Sequence, residues 1–300
     1  MAPTEPRTGT NHMDGSDNTF RLTDWLFWIY NAIVVILLLL MGNHVEGRWV
    51  YLGANFGLII LSVLLIHLRH RFPGSPVFSI LRNWYPLLYF FFLHWESGMI
   101  GDILFQGSFD SLVAAWDYAL FGDYLHNILY RYQPIWFSEF IHFTYFFYYL
   151  LLIAPALLLY RDDREKFASY VFDVSLFYLI QYTIFYMFPV IGPIEHHYAK
   201  FPDGVLFIPL MKILYVLGDS PGGAVPSSHV SVALLSWYWL YKIKPRLALP
   251  SLFLVACLVF STVYLSFHYA IDAVAGLIFG VLLIRFLDYL RSRYGEYALR

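Results

Sequence analysis

The chain has 300 residues, of which 59% are hydrophobic and only 13% charged, a balance that excludes an ordinary soluble domain. A formal net charge of −2 excludes nucleic acid as a partner. A single cysteine, Cys257, excludes an intramolecular disulfide and leaves the redox compartment unread.

Residues 1–22 are polar and lack the basic-then-apolar pattern of a secretion signal; a disordered tail is expected there, with residues 23–300 as one membrane domain. A membrane-crossing helix needs about 20 apolar residues. Eight stretches approach that, at about 25–42, 49–68, 84–97, 135–160, 168–190, 229–243, 247–267 and 270–290. The third and sixth are short. The predicted fold class is therefore all-α, a polytopic integral membrane bundle of about eight transmembrane helices. The 25 Tyr and 9 Trp suit the aromatic belts at membrane interfaces.

Lys and Arg set the expected orientation. Fifteen of the 19, from Arg7 to Arg300, fall on one side if the chain crosses eight times, leaving Arg48, Arg131, Lys200 and Lys212 opposite. Both termini are then cytoplasmic. Of the two long outer segments, 98–134 mixes Asp102, Asp110, Asp117 and Asp123 with aromatic residues and reads as amphipathic helices that lie on the outer interface or dip back into the protein. Residues 191–228 carry the apolar run FIPLMKILYVL, too short to span, which lies flat or packs as a lid.

Two outer stretches carry the chemistry. In STVYLSFHYAIDAVAG, residues 261–276, His268 ends the seventh span and Asp272 begins the eighth, four residues apart. A carboxylate beside an imidazole fixes its tautomer and raises its basicity. In GDSPGGAVPSSHVSVALL, residues 218–235, Gly222, Gly223 and Pro226 form a turn. Ser227 or Ser228 caps the helix that follows, and His229 lies in its first turn. A helix start offers free N–H groups and a positive dipole end, which suit a phosphate. A neutral imidazole can attack phosphorus and form a phosphohistidine. A second imidazole can protonate the leaving oxygen and then deprotonate the acceptor. This scheme needs no metal or other cofactor, although two His and one carboxylate also suit an iron or zinc site.

PSSH followed by HYAID resembles the type 2 phosphatidic acid phosphatase superfamily, whose second and third motifs have the forms PSxH and SRxxxxxHxxxD. The third motif here reads Ser261-Thr262, five residues, His268, three residues, Asp272, so Thr262 stands where arginine is expected. The first motif, KxxxxxxRP, is missing: Lys212 has no Arg-Pro at the right distance. FPVIGPIEHH, 188–197, resembles the Pro-rich turn of some branches. The loss of both arginines, with AVPSSH and the 261–276 stretch, is similar to the inositol phosphorylceramide synthase and sphingolipid synthase branch. That resemblance implies a six-helix catalytic core, with the first two spans as an added pair. It also implies His268 as nucleophile, Asp272 as its orienting partner and His229 as general acid/base, facing the extracytoplasmic side. Ser227, Ser228, Gly223 and Lys212 are the expected phosphate-binding set, with Arg131 and Lys200 as other outer cations. The expected substrate is a membrane phospholipid or sphingolipid within the bilayer, and the expected reaction is transfer of a phosphoinositol-like head group. A lipid phosphate phosphatase or phospholipase C-like hydrolase, with water as acceptor, is the alternative.

Other polar residues have plainer readings. Glu195, His196 and His197 read as a solvated loop, with binding of a polar head group as the alternative, and Asp117 and Asp123 as surface helix caps. Glu139 and His142, Asp173 and Gln181, and His94 and Glu96 are intramembrane polar groups, open to substrate contact or mutual hydrogen bonding. The stripe FTYFFYYLLL reads as packing and lipid contact.

Overall fold

The structure, a computed structural model, describes residues 20–131, 133–194, 197, 201, 204–218 and 222–299. Residues 1–19 of the expected tail, and Glu195, His196 and Lys200, lie outside the described residues. The chain is a polytopic helical membrane protein, and no strand occurs among the described residues. Eleven α-helices are described: α1 (Leu22–Leu40), α2 (Arg48–Arg71), α3 (Pro76–Met99), α4 (Asp110–Phe121), α5 (Leu125–Tyr130) and α6 (Ile135–Asp162), then α7 (Arg164–Met187), α8 (Phe207–Gly218), α9 (Ser228–Ile243), α10 (Pro245–Tyr264) and α11 (Ala270–Tyr294).

Six of these are long and apolar enough to cross a membrane: α1, α2, α6, α7, α10 and α11. The other two expected spans are α3 and α9. α3 has 24 residues and starts well before position 84, because Ser75 caps it and Pro76 supplies its first residue. Arg82 and Asn83 interrupt its apolar tract, which hid that first part from a hydropathy reading. α9 has 16 residues, about 24 Å of helix at 1.5 Å per residue, and packs against α6, α7, α10 and α11. FIPLMKILYVL lies within α8, which packs against α6.

α7 is the central helix. Of its most apolar stretch 72% is buried, against 33–44% for the other five spans. Phe167, Tyr170, Val174, Phe177 and Tyr182 of α7 are all fully buried. Two buried ion pairs hold the end of the bundle where α6 hands over to α7. Asp24 of α1 accepts from Arg82 of α3 at 2.9 and 2.6 Å and from the Tyr85 hydroxyl. Asp173 of α7 accepts from Arg291 of α11 at 2.5 Å and from Trp239 of α9 at 2.9 Å. Asp173 is therefore tied up in structure. Charges buried in this way hold only when paired and hydrogen-bonded.

The opposite end is irregular. α4 packs on α11, α5 on α10 and α8 on α6, around the place where α9 starts and α10 turns into α11.

Candidate active site

Ser227 caps α9, its Oγ accepting from Val230 N–H at 3.5 Å. The glycines before it set its approach. Gly223 has φ +79°, and a Cβ there would stand 2.7 Å from Phe185 of α7. Only glycine accepts both the left-handed backbone and that contact. Gln181 of α7 fixes the segment from below, donating to Pro226 O at 3.1 Å and accepting from Ser231 Oγ at 3.0 Å.

α11 is pressed against this helix start through Gly276 and Gly280. A Cβ on Gly276 would stand 2.6 Å from Ser227 O, and one on Gly280 3.2–3.4 Å from Leu234 and Ser231. Small residues four apart let two membrane helices approach closely. As a result Ser227 N–H donates to Asp272 O at 3.0 Å.

α10 ends at Tyr264, so His268 lies in the turn between α10 and α11 and not in the seventh helix itself. Ser266, at φ +60°, and backbone N–H groups of Phe267 and His268 that both donate to Thr262 O shape this turn. His268 Nδ1 stands 3.4 Å from Asp272 Oδ2, within ion-pair range, and Nε2 is 3.1 Å from Ser227 Oγ. Asp272 is fully buried, and its Oδ2 also accepts Tyr269 N–H at 2.9 Å. With Nδ1 protonated toward the carboxylate, the Nε2 lone pair faces Ser227 and the interior of the site.

The His229 ring centroid lies 6.2 Å from that of His268. His229 Nε2 is 3.1 Å from the Tyr145 hydroxyl, and its ring packs 4.8 Å from Tyr145 and 4.6 Å from Tyr148. Tyr148 in turn hydrogen-bonds Tyr178 of α7. These tyrosines correct the reading of FTYFFYYLLL as packing and lipid contact. The available signal was their spacing of three residues, which puts two hydroxyls on one face of α6. Tyr145 is ten residues beyond Ile135, about 15 Å along the helix, so the site is recessed below the end of α6.

Two expectations change here, for Asp117 and His197, and two left open, for Glu139 and His142, gain backbone partners. Asp117 is fully buried, not a surface cap: it accepts from Leu125 N–H at 3.5 Å and, across the chain, from Ile271 N–H at 3.2 Å. Burial pushes its carboxyl above the usual carboxylate range, against the pull of those N–H groups. His197 is buried as well, its Nδ1 donating to Leu265 O at 2.8 Å and its ring packing 4.5 Å from Phe267, so it supports the turn before His268 instead of lying in a solvated loop. Glu139 binds the start of α8, accepting from Leu206 and Phe207 N–H at 3.1 and 2.6 Å and from Val205 N–H. His142 Nδ1 donates to Ser138 O at 2.6 Å.

The remaining expected residues fall as follows. Ser228 is the first residue of α9 and is buried. Lys212 lies on α8, in electrostatic range of His142. Arg131 is largely exposed, 3.7 Å from Asp123. No group of three or more His, Cys, Asp or Glu side chains arranged to hold a metal ion occurs among the described residues.

Helices of membrane-crossing length, with two histidines and a carboxylate gathered at one end beside a capped helix start, define a polytopic membrane protein with a cluster of polar side chains at one end of its bundle. A family model described as the PAP2 superfamily matches residues 111–286, more than half of the chain, and the chain belongs to that superfamily. Membership supports a lipid phosphatase or phosphotransferase type of function, acting on lipid substrates in a bilayer. Comparison with curated proteins and with solved structures gave no match.

Proposed function

We propose that this protein is a membrane phosphotransferase that moves a phosphoinositol-like head group from a phospholipid to a second lipid alcohol of the sphingolipid type. His268 Nε2 attacks phosphorus, forming a P–N bond as the P–O bond to the donor lipid breaks. His229 gives its proton to the departing alkoxide. The acceptor alcohol then loses its proton to His229 and attacks the phosphohistidine, which restores P–O and releases His268. Asp272 holds the His268 Nδ1–H and stabilises the imidazolium that forms. Ser227, Ser228, the backbone at Gly223 and Lys212 bind the phosphate, with the start of α9 facing the charge that grows on its equatorial oxygens. The site opens to the extracytoplasmic side, with both termini cytoplasmic, in line with the Lys and Arg distribution.

The observation that supports this reading is the run Asp272–His268–Ser227, with contacts of 3.4 and 3.1 Å and a second imidazole 6.2 Å away. Transfer is favoured over monoester hydrolysis by Thr262 in place of arginine, since a diester carries less charge than a monoester.

The test is product identification by mass after purified protein meets vesicles of labelled phosphatidylinositol and ceramide. Inositol phosphorylceramide with free diacylglycerol is expected. Free inositol phosphate, or inorganic phosphate from a lipid monoester, would replace transfer with hydrolysis. Unchanged turnover in His268→Ala would overturn the phosphohistidine.

A further inference from the structure

The superfamily match begins at residue 111 and so omits α3. α3 nevertheless reaches the site. Its C-terminal turn lies against the glycine segment before Ser227: a Cβ on Gly222 would stand 3.8 Å from Gly98 Cα. One turn earlier on α3 is His94. Its side chain is partly buried, with its ring centroid 6.1 Å from that of Tyr182. His94 is in electrostatic range of His268 and also of His229. His94 therefore stands beside the glycine segment that leads into Ser227: its neighbour Tyr182 packs 5.9 Å from Phe185, the ring that Gly223 faces.

Where the superfamily pattern has arginine this chain has Thr262, which leaves Lys212 as the cation assigned to the phosphate. Thr262 is fully buried and spends its hydroxyl on Val259 O, at 2.8 Å in its own helix. Arg131 points into solvent beside Asp123. A phosphate bound between His229 and His268 would gain from a further donor for its non-bridging oxygens, and His94 comes to the glycine segment on α3, an element that carries neither of the other two.

We propose that His94 is a phosphate-binding residue of this site, its imidazole N–H donating to a non-bridging oxygen in the role the superfamily pattern gives to arginine. This rests on the phosphotransfer reading above and narrows its substrate. An imidazole cradle matches the single negative charge of a lipid phosphodiester. It is poorly suited to a monoester, whose second ionisation falls near pH 6.

The test uses orthovanadate, which forms a five-coordinate adduct resembling the phosphorus being attacked, so the donor lipid need not be known. Binding to full-length protein in detergent is measured by tryptophan fluorescence for wild type, His268→Ala, His94→Gln and His94→Arg, with a thermal melt of each. Loss of binding is expected for His268→Ala. For His94→Gln about tenfold weaker binding is expected, the loss of one charge-assisted hydrogen bond. His94→Arg should return to within threefold of wild type, which a merely structural histidine would not allow. Unchanged affinity in His94→Gln, or equal loss in both His94 variants with a lowered melting temperature, would overturn the role of His94 and leave phosphotransfer standing. Absence of binding in wild type, or binding that survives His268→Ala, would instead remove the phosphotransfer reading, and this inference with it.

Discussion

Replacing Gly276 with alanine tests whether the spacing of α9 and α11 sets the chemistry. The new Cβ would stand 2.6 Å from Ser227 O, 3.1 Å from Val230 Cβ and 3.2 Å from Ser227 Cβ. Ordinary contact begins near 3.4 Å, so the helices must part by about 0.8 Å at Ser227. Ser227 cannot absorb this alone, because its N–H is held by Asp272 O at 3.0 Å and its Oγ faces His268 at 3.1 Å. Overpacking of this kind costs about 1–3 kcal/mol in stability. Displacement of reacting groups by about 1 Å costs about 10²-fold in rate. Gly276→Ala should therefore remain folded and monodisperse in detergent, yet transfer the labelled head group about a hundredfold more slowly at saturating donor. Gly280→Ala is the control. A Cβ there would stand 3.2 Å from the flexible tip of Leu234 and 3.3–3.4 Å from the Ser231 backbone, a much smaller overlap one turn farther from the histidine, and its rate should fall less than tenfold. A Gly276→Ala rate within threefold of wild type, or an equal loss in Gly280→Ala, would refute the claim that helix spacing at Ser227 positions the site.

Three further outcomes follow from single contacts. Asp272→Asn should keep the fold, since the amide oxygen can still accept Tyr269 N–H, but the tautomer of His268 is no longer fixed. A fall in kcat of about 10²–10⁴ is expected, and an unchanged kcat would disprove the tautomer argument. Tyr145→Phe removes the hydroxyl 3.1 Å from His229 Nε2; a net hydrogen bond of about 0.5–1.5 kcal/mol corresponds to a rate loss of roughly 2- to 13-fold, read in initial rates. Arg291→Met leaves the Asp173 carboxylate buried and unpaired, at a cost of about 3–5 kcal/mol. The thermal melt should drop sharply, and Asp173→Asn in the same chain should restore part of it; a melt equal to wild type would show that this pair does not hold the bundle.

Much of the architecture was legible because lipid imposes a strong rule: backbone groups must be satisfied within each segment, so long apolar tracts become helices. α1, α2, α6, α7, α10 and α11 follow from that alone. α3 shows where the rule weakens. Its first turns carry Arg82, buried by pairing with Asp24, a partner 58 residues away that no local pattern reveals. The histidines and Asp272 stood out because ionisable groups beside apolar tracts are costly. Tyr145 did not, because tyrosine in an apolar stripe fits an interface as readily as a site; its contact with His229 spans 84 residues. His197 misled for a related reason. Next to Glu195 and His196 it looks solvated, whereas the fold folds it under Phe267.

The acidic residues at this end of the bundle show what the surrounding structure requires. Asp110 accepts from Ile191 and Gly192 N–H at 2.9 and 2.7 Å. Asp117 accepts from Leu125 and Ile271, Glu139 from the start of α8, and Asp272 from Tyr269. Each carboxylate ends on backbone donors that no helix satisfies. Irregular backbone near a membrane leaves such donors without water, and an acceptor fixed by the sequence replaces it. A charged oxygen also makes these contacts stronger than neutral ones. Asp110, Asp117 and Glu139 therefore pin the 188–194 segment, the start of α11 and the start of α8 around the site. Of these four, Asp272 combines that duty with a contact to the His268 imidazole. Under the proposed phosphotransfer, this division would let a region containing several carboxylates hold an anionic phosphate: Asp110, Asp117 and Glu139 turn their charge toward the backbone, which leaves the imidazoles and the start of α9 for the phosphate.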